Sequence, residues 1–509
     1  MRKLEKIQTL GKVLVDEYGR ERIFSGINVC DKGAYNAEEK IRHYNYEWDD
    51  AMLEEFKKQG INIIRLGITW DAVEPQKGKY NDVYIEAVKR MLDKCEKAGI
   101  YAYIDMHQDL YSGWGNGPGD GAPAWACHTD KYKYKNPRLV WAESYFISRA
   151  VHRAFDNFWD NKYSVQDAYK KMWKHVAQRL DGHPALFGFD VMNEPFLGKD
   201  GGRGFFKLIG SLVATTLTDK RISKAKLIKE ALTKGRAVHV LDLYTADIFN
   251  EIVNKAAPIV NKFDAGRYMP FLNSTAKEIR KVSADPILFI ENSYYSNLGI
   301  RFAGRPIEVD GKQDKNQIFA PHAYDLMVDT PAYKYANNGR VKAIFDQRKK
   351  EQDETLKIPL LVGEWGGYSE GTDWLHHIEF LLALFDSYKW SNTYWAYFEG
   401  LIGSPLWDVL KRPYPRAVTG TIESYKHDRD ENTFTLLYTQ EKDFEVPTEI
   451  FAHKPIESVE TDGEYTIEPI DENASVVKIT TGKGKHTVKI KFSGEGFSYI
   501  TQKAAEETK

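Results

Sequence analysis

The sequence predicts an α/β fold, a (β/α)8 TIM barrel, followed by a small antiparallel β-sandwich. Three observations predict it. Eight short apolar runs alternate with amphipathic stretches over the first 416 residues. The runs are almost continuously apolar, as strands buried on both faces should be. After Arg416 the texture changes to short alternating runs separated by turn residues, the pattern of a sandwich. The expected division is 1–416 for the barrel, 417–502 for the sandwich and 503–509 for a polar tail that frays.

The eight runs are Arg22–Val29, Ile61–Ile68, Ile100–Met106, Leu186–Met192, Ile287–Ile290, Gln317–Ala320, Ile358–Val362 and Thr393–Tyr397. Between them Trp48–Gly60, Val83–Gly99 and Ala168–Asp181 carry helical periodicity, with Gly60 and Gly99 placed as C-caps. An open doubly wound sheet would want a glycine-rich phosphate turn after the first strand, and Asn28-Val29-Cys30-Asp31-Lys32 offers none. In the last region Thr433–Gln440, Thr448–His453, Tyr465–Ile470, Ser475–Thr481 and His486–Phe492 read as strands. This module is expected to pack on the barrel, with sugar binding as the alternative.

A formal net charge of −2 leaves no basic excess for nucleic acid. Three cysteines, Cys30, Cys95 and Cys127, stand at unrelated spacings and read as buried free thiols, not as a disulfide framework or zinc signature. No apolar run is long enough to span a membrane. The start, MRKLEKIQTLGK, is basic but lacks an apolar signal core, which leaves open a cytoplasmic protein or one whose export signal was removed. A monomer without cofactor or metal is expected.

In a barrel of this kind, chemistry sits at the C-terminal ends of the strands. The fourth run ends in Asn193-Glu194-Pro195, the seventh in Glu364-Trp365-Gly366, the third in His107-Gln108-Asp109 and the sixth in His322-Ala323-Tyr324. The second carries Arg65 and the eighth Trp395. Two carboxylates at opposite strand ends suit glycoside hydrolysis: one protonates the leaving oxygen, and the other, if about 5–5.5 Å away, attacks the anomeric carbon with retention. Burial and like charge would raise the acid's pKa, and Arg65 would keep the nucleophile ionised. A lone strand-end Glu is as readily an ion-pair partner; Asn-Glu-Pro together with a Glu three strands later favours hydrolysis. His107 and Asp109 are two metal-type ligands without a third, so hydrogen bonding to sugar is preferred. Asp109 as a turn cap and Trp125 as core are the bland alternatives.

The strand-end set of Arg65, His107, Asn193-Glu194-Pro195, His322-x-Tyr324, Glu364 and Trp395 resembles glycoside hydrolase family five, over roughly Arg20 to Arg416. The resemblance implies Glu194 as acid/base, Glu364 as nucleophile, Asn193 as partner of the sugar 2-hydroxyl, Tyr324 and Arg65 as holders of the nucleophile with His322 in support, and Trp395 as sugar platform. Within the family the sequence resembles endoglycosylceramidases most, through Asp105–Ser112, Gly119–Ala126, Arg153–Trp159, Phe189–Phe196 and Arg412–Gly420. That likeness implies first-sugar contacts from Lys32, His107, Asp109 and Asn193, with Trp125 among the substrate-binding residues. It implies a retaining endo-β-glycosidase that separates a glycan headgroup from ceramide in glycosphingolipids. A β-glucosidase acting on glucosylceramide, steryl or other hydrophobic glucosides is the alternative. The residues around Lys32 differ from the family's, which leaves the glycan preference open.

One insertion follows the Glu194 strand. Gly198–Gly204 reads as a flexible stretch, and Phe205–Ala214 is apolar. From Arg203 to Val240 nine basic residues (Arg203, Lys207, Lys220, Arg221, Lys224, Lys226, Lys229, Lys234, Arg236) face two acidic ones, Asp219 and Glu230. A lid is expected, its apolar face toward lipid and its basic face toward an anionic membrane or micelle surface. An amphipathic hairpin with a solvated charged face is the alternative.

Overall fold

The computed structural model describes residues 4–36, 41–45, 47–114, 119–135, 141–233 and 237–507. Eight strands form the barrel: β1 (Ser25–Cys30), β2 (Ile63–Thr69), β3 (Tyr101–His107), β4 (Leu186–Asp190), β5 (Ile287–Ile290), β6 (Gln317–Phe319), β7 (Leu361–Val362) and β8 (Ser391–Tyr394). Each overlaps one predicted run. Their order is β6-β5-β4-β3-β2-β1-β8-β7, with parallel pairing throughout. Parallel bridges Phe319–Leu360 and His322–Glu364 close the sheet on itself. β2 and β3 are buried at every position, because side chains fill the barrel on one face and helices cover the other.

The helices that matter below are α1 (Asp50–Gln59), α2 (Asp82–Ala98), α3 (Val165–Leu180), α4 (Lys199–Thr218), α5 (Lys224–Leu232), α6 (Leu375–Tyr388) and α7 (Tyr499–Glu507). α1 opens on Asp49, whose side chain accepts from the Ala51 N–H, and closes on Gly60 at φ +83°. Gly60 is required twice over. The left-handed cap favours glycine, and an added Cβ would lie 2.4 Å from the Phe451 ring of the C-terminal module. Gly99 closes α2 in the same way at φ +73°.

The C-terminal module is a sandwich of a seven-stranded and a four-stranded sheet, cored by residues such as Phe434, Leu436, Phe451, Val488 and Ile490. The larger sheet also takes strands Ile7–Leu10, Val13–Asp16 and Glu21–Arg22, so it draws on both ends of the chain across the 416/417 division. Strands Thr421–Asp428 and Ile456–Glu460 add to those read from sequence. Residues 503–507 of the tail lie in α7. The N–H groups of Tyr499 and Ile500 donate to the Glu379 carboxylate on α6, which gives the helix start the anionic partner it needs. The three cysteines are free, Cys95 buried and the other two half-buried. Among the described residues no helix is long and apolar enough to cross a membrane.

Candidate active site

The site is organised around Arg65, fully buried in β2. Its Nη2 lies 3.0 Å from Asp105, 3.0 Å from Asp190 and 2.7 Å from Glu291, and its Nη1 donates to Glu364 Oε1. Nη2 also donates to Asn193 Oδ1 at 3.0 Å. Strand register supplies this ring: Asp105 on β3 stands opposite Asp190 on β4, which stands opposite Phe289, two residues before Glu291.

Glu364 follows β7 and accepts a second bond, 2.8 Å, from the Tyr324 hydroxyl. Glu194 follows β4 in a left-handed conformation, φ +44°, uncommon for a residue with a Cβ. Its backbone N–H donates to Glu291 Oε2 at 2.6 Å, and its carboxylate Oε1 accepts from Asn297 Nδ2 at 2.6 Å. His322 stands between the two glutamates, with Nδ1 3.1 Å from Glu194 and 3.4 Å from Glu364. One oxygen from each glutamate and a ring nitrogen of His322 all lie within 4.8 Å of one another.

The two carboxyls differ in their surroundings. Burial, then the negative charge of Asp109, pushes Glu194 up to about 7. Burial also raises Glu364, but His322 and Arg65 oppose the shift, and both its oxygens receive a donor. Donors to the charged form favour ionisation, so Glu364 is the group equipped to be bare and Glu194 the one equipped to keep a proton. Burial pushes His322 down to about 3, which leaves its ring neutral between them.

A polar and aromatic wall stands beside the pair. Lys32 Nζ pairs with Asp109, lies 3.6 Å from Asp120 and stands 5.2 Å over the Trp395 ring. His107 stacks on Trp395 with centroids 5.1 Å apart and donates or accepts at Asp105 through Nδ1 at 2.8 Å. Its Nε2 is buried without a hydrogen-bond partner among the described residues. Asn193 Nδ2 donates to Gln108 O at 3.1 Å, so its amide is fixed at both ends.

Lys32, Arg65, His107, Asp109, Asn193, Glu194, His322, Tyr324, Glu364 and Trp395 therefore converge as the sequence suggests. For Trp125 the contacts are with other residues: its N–H donates to Glu74 O at 2.9 Å and its half-buried ring packs edge-on against Trp70. The same segment places Asp120 3.6 Å from Lys32. Sequence reasoning missed Asp105, Asp120, Asp190, Glu291 and Asn297. Glu291 follows the Ile287–Ile290 run at once, so the strand-end rule applied to the other runs would have found it. Asn297, on a short turn of Tyr294–Leu298, gave no signal.

Three donor sets at the barrel mouth have metal-like spacing: His107 with Asp109 and Asp120, Asp105 with Asp190 and Glu291, and the two glutamates with His322. Lys32 already stands on the first and Arg65 on the second, while Asn297, Arg65 and Tyr324 serve the third. Each of these sets is thus already engaged by protein donors.

The insertion after Glu194 is not a flexible loop at its start. Gly201 belongs to the first turn of α4 and lies flush on Phe196, where a Cβ would stand 2.2 Å from the ring. Further along α4, Phe206, Ile209, Val213 and Leu217 form an exposed stripe, and Ile228 and Leu232 on α5 are exposed as well. Lys234 and Arg236 lie outside the described residues. A groove of about 640 Å³, lined by Phe206, Lys207, Ala214, Glu251 and Lys255 among others, runs along the outer side of α4. No buried carboxyl pair like Glu194 and Glu364 lines it.

A model of the cellulase family, glycosyl hydrolase family 5, matches residues 15–212 and 241–399, and one of the glycoside hydrolase family 5 C-terminal domain matches 412–491. An endoglycoceramidase of Hydra vulgaris is 25% identical over 471 residues, 84% of this chain and 76% of that protein. An endoglycoceramidase of Cyanea nozakii is 32% identical over 206 residues, 36% of this chain and 40% of that protein, well under two thirds of its length. The structure of endo-glycoceramidase II from Rhodococcus sp. has a TM-score of 0.71 at 23% identity, covering 95% of this chain and 100% of that one. That protein has also been solved as a ganglioside GM3 complex.

Proposed function

The chain belongs to glycoside hydrolase family 5, and from that membership we propose that it is a retaining endo-β-glycosidase that cleaves glycosphingolipids between the glycan headgroup and ceramide. The observation that carries the reading is the pair Glu194 and Glu364, within 4.8 Å and unlike in their surroundings. Glu194 keeps its proton near neutrality and gives it to the glycosidic oxygen as ceramide leaves. Glu364, held by Arg65 and Tyr324, attacks the anomeric carbon and forms a glycosyl-enzyme ester. Water, deprotonated by the now ionised Glu194, then releases the sugar with its configuration retained. Lys32, His107, Asp109 and Asn193 hold the hydroxyls of the first sugar, and Trp395 offers its face.

The lipid half falls to the insertion. The exposed stripe of α4 shelters alkyl chains, and Lys207, Lys220, Arg221, Lys224, Lys226 and Lys229 meet an anionic membrane or micelle surface. The names of the relatives support the ceramide reading. A panel of glycosylceramides, with the released glycan identified by mass, tests it. An intact oligosaccharide is expected. Release of single sugars only would point to the β-glucosidase alternative, and no release from any member would reject the reading.

A further inference from the structure

We infer that Glu291 is a positioning residue that ties the two catalytic carboxylates together, one oxygen on Arg65 and the other on the backbone of Glu194. The inference rests on the roles proposed above for Glu194 and Glu364 and goes beyond them.

Glu291 is the first residue after β5 and is buried. Its Oε1 lies 2.7 Å from Arg65 Nη2, and Arg65 in turn donates to Glu364. Its Oε2 accepts the Glu194 N–H at 2.6 Å, at a residue held in the left-handed region. A sparsely populated backbone conformation persists when its surroundings over-determine it, and this hydrogen bond is the contact that does so from the β5 side. A single side chain thus fixes the backbone of the acid and the cation of the nucleophile.

The charge balance explains why a carboxyl group does this. Arg65 is one guanidinium among Asp105, Asp190, Glu291 and Glu364. Four buried carboxylates around one cation disfavour full ionisation of all four. Burial, and then the charge of Asp190, pushes Glu291 well above the carboxylate range, which favours its protonated form beside Asp190. Asp190 Oδ1 otherwise lacks a hydrogen-bond partner among the described residues. A protonated carboxyl accepts on both oxygens and donates once, which serves Arg65, Glu194 and Asp190 together. A glutamine cannot: its amide nitrogen only donates, so one of the two accepted bonds must be lost.

The test compares Glu291→Gln, Glu194→Gln and the double variant on two aryl β-glycosides, one with a good and one with a poor leaving group. Misplacing a reacting group by about 1 Å costs about 100-fold. With the poor leaving group, Glu291→Gln is expected to lower kcat by about that factor and to leave KM within about threefold. Its loss extends to the good leaving group, where Glu194→Gln loses far less, because Glu291 also acts on Glu364 through Arg65. In the Glu194→Gln background the further loss on the poor leaving group shrinks to about tenfold or less, since a residue acting through Glu194 has less to act on. Thermal unfolding establishes that each variant is folded. If Glu291→Gln does not fold, Glu291→Asp, which keeps both oxygens one methylene short, is judged by the same criteria. Wild-type kcat in the folded variant, or losses that simply multiply with those of Glu194→Gln, would overturn the inference. If Glu194→Gln itself loses both substrates equally, the assignment of the acid fails instead.

Discussion

Two buried arginine clusters sit at opposite ends of β1 and β2 and differ in arithmetic. At the entrance to β1, Arg20 and Arg22 meet Asp16, Glu5 and Glu449: 2.8 Å from Arg20 to Asp16, 3.1 Å from Arg20 to Glu449, and 3.2 Å from Arg22 to Asp16. Two cations face three carboxylates, two of which retain some exposure, so the charges come close to cancelling. At the mouth, one cation faces four buried carboxylates. Near balance glues the N-terminal strands to the sandwich. Burial, opposed by Arg65 but reinforced by Asp105, raises Asp190 to about 6, and burial with the charge of Asp109 raises the adjacent Glu194 to about 7. The same residue types therefore build a joint in one place and a proton store in the other.

Breaking each cluster should give opposite results. Glu364→Gln at the mouth is expected to lower kcat by about 10⁴- to 10⁶-fold, since the group that forms the covalent bond is gone. Steady-state rates on an aryl β-glycoside check this. Arg20→Ala at the entrance should cost about 3–5 kcal/mol of stability, because it strands buried carboxylates, and leave kcat per folded molecule near wild type. Urea unfolding measures the first and active-site titration the second. An Arg20 variant that unfolds like wild type would erase the contrast.

The mouth also predicts how stability trades against chemistry. The Glu194 carboxyl is raised from an ordinary 4.5 to about 7. Its contribution to stability is fully present below 4.5 and is lost as pH rises through 7. The gap corresponds to about 3 kcal/mol as an upper bound. Glu194→Gln should therefore be more stable than wild type at pH 8, with the advantage shrinking toward pH 5, as followed by melting temperature. The wild-type rate should fall on the basic side near pH 7, where the acid loses its proton. The smallest effect is expected outside both clusters. Phe206→Asp with Leu217→Asp on α4 should slow turnover of a glycolipid in vesicles by about tenfold, the loss of one well-buried apolar contact, while sparing a soluble aryl glycoside.

The barrel was legible because its strands are buried on both faces, and the resulting apolar runs stand out from any neighbouring helix. Most of the site was legible because the mouth of such a barrel collects whatever polar residue ends a run. Asp105 and Asp190 escaped that rule: they lie inside their runs, and only strand register shows that they face Arg65. The hairpin Ile7–Leu10 and Val13–Asp16 escaped for the opposite reason, being two four-residue strands that join the sandwich only through Glu21–Arg22, whose far partner Tyr414–Val418 lies about 400 residues on in sequence. Gly201 was read as slack when it is a close contact, a distinction set by the Phe196 ring and not by local composition.

The account stands on Glu364 as the nucleophile and on a covalent intermediate. The most direct test is to incubate the enzyme with an activated 2-deoxy-2-fluoro β-glycoside, which slows the second step, and to map the trapped sugar by peptide mass spectrometry. One sugar per chain on the peptide bearing Glu364, with matching loss of activity, is the expected result. A label on Glu194 or elsewhere, or hydrolysis with inversion and no adduct, would contradict it.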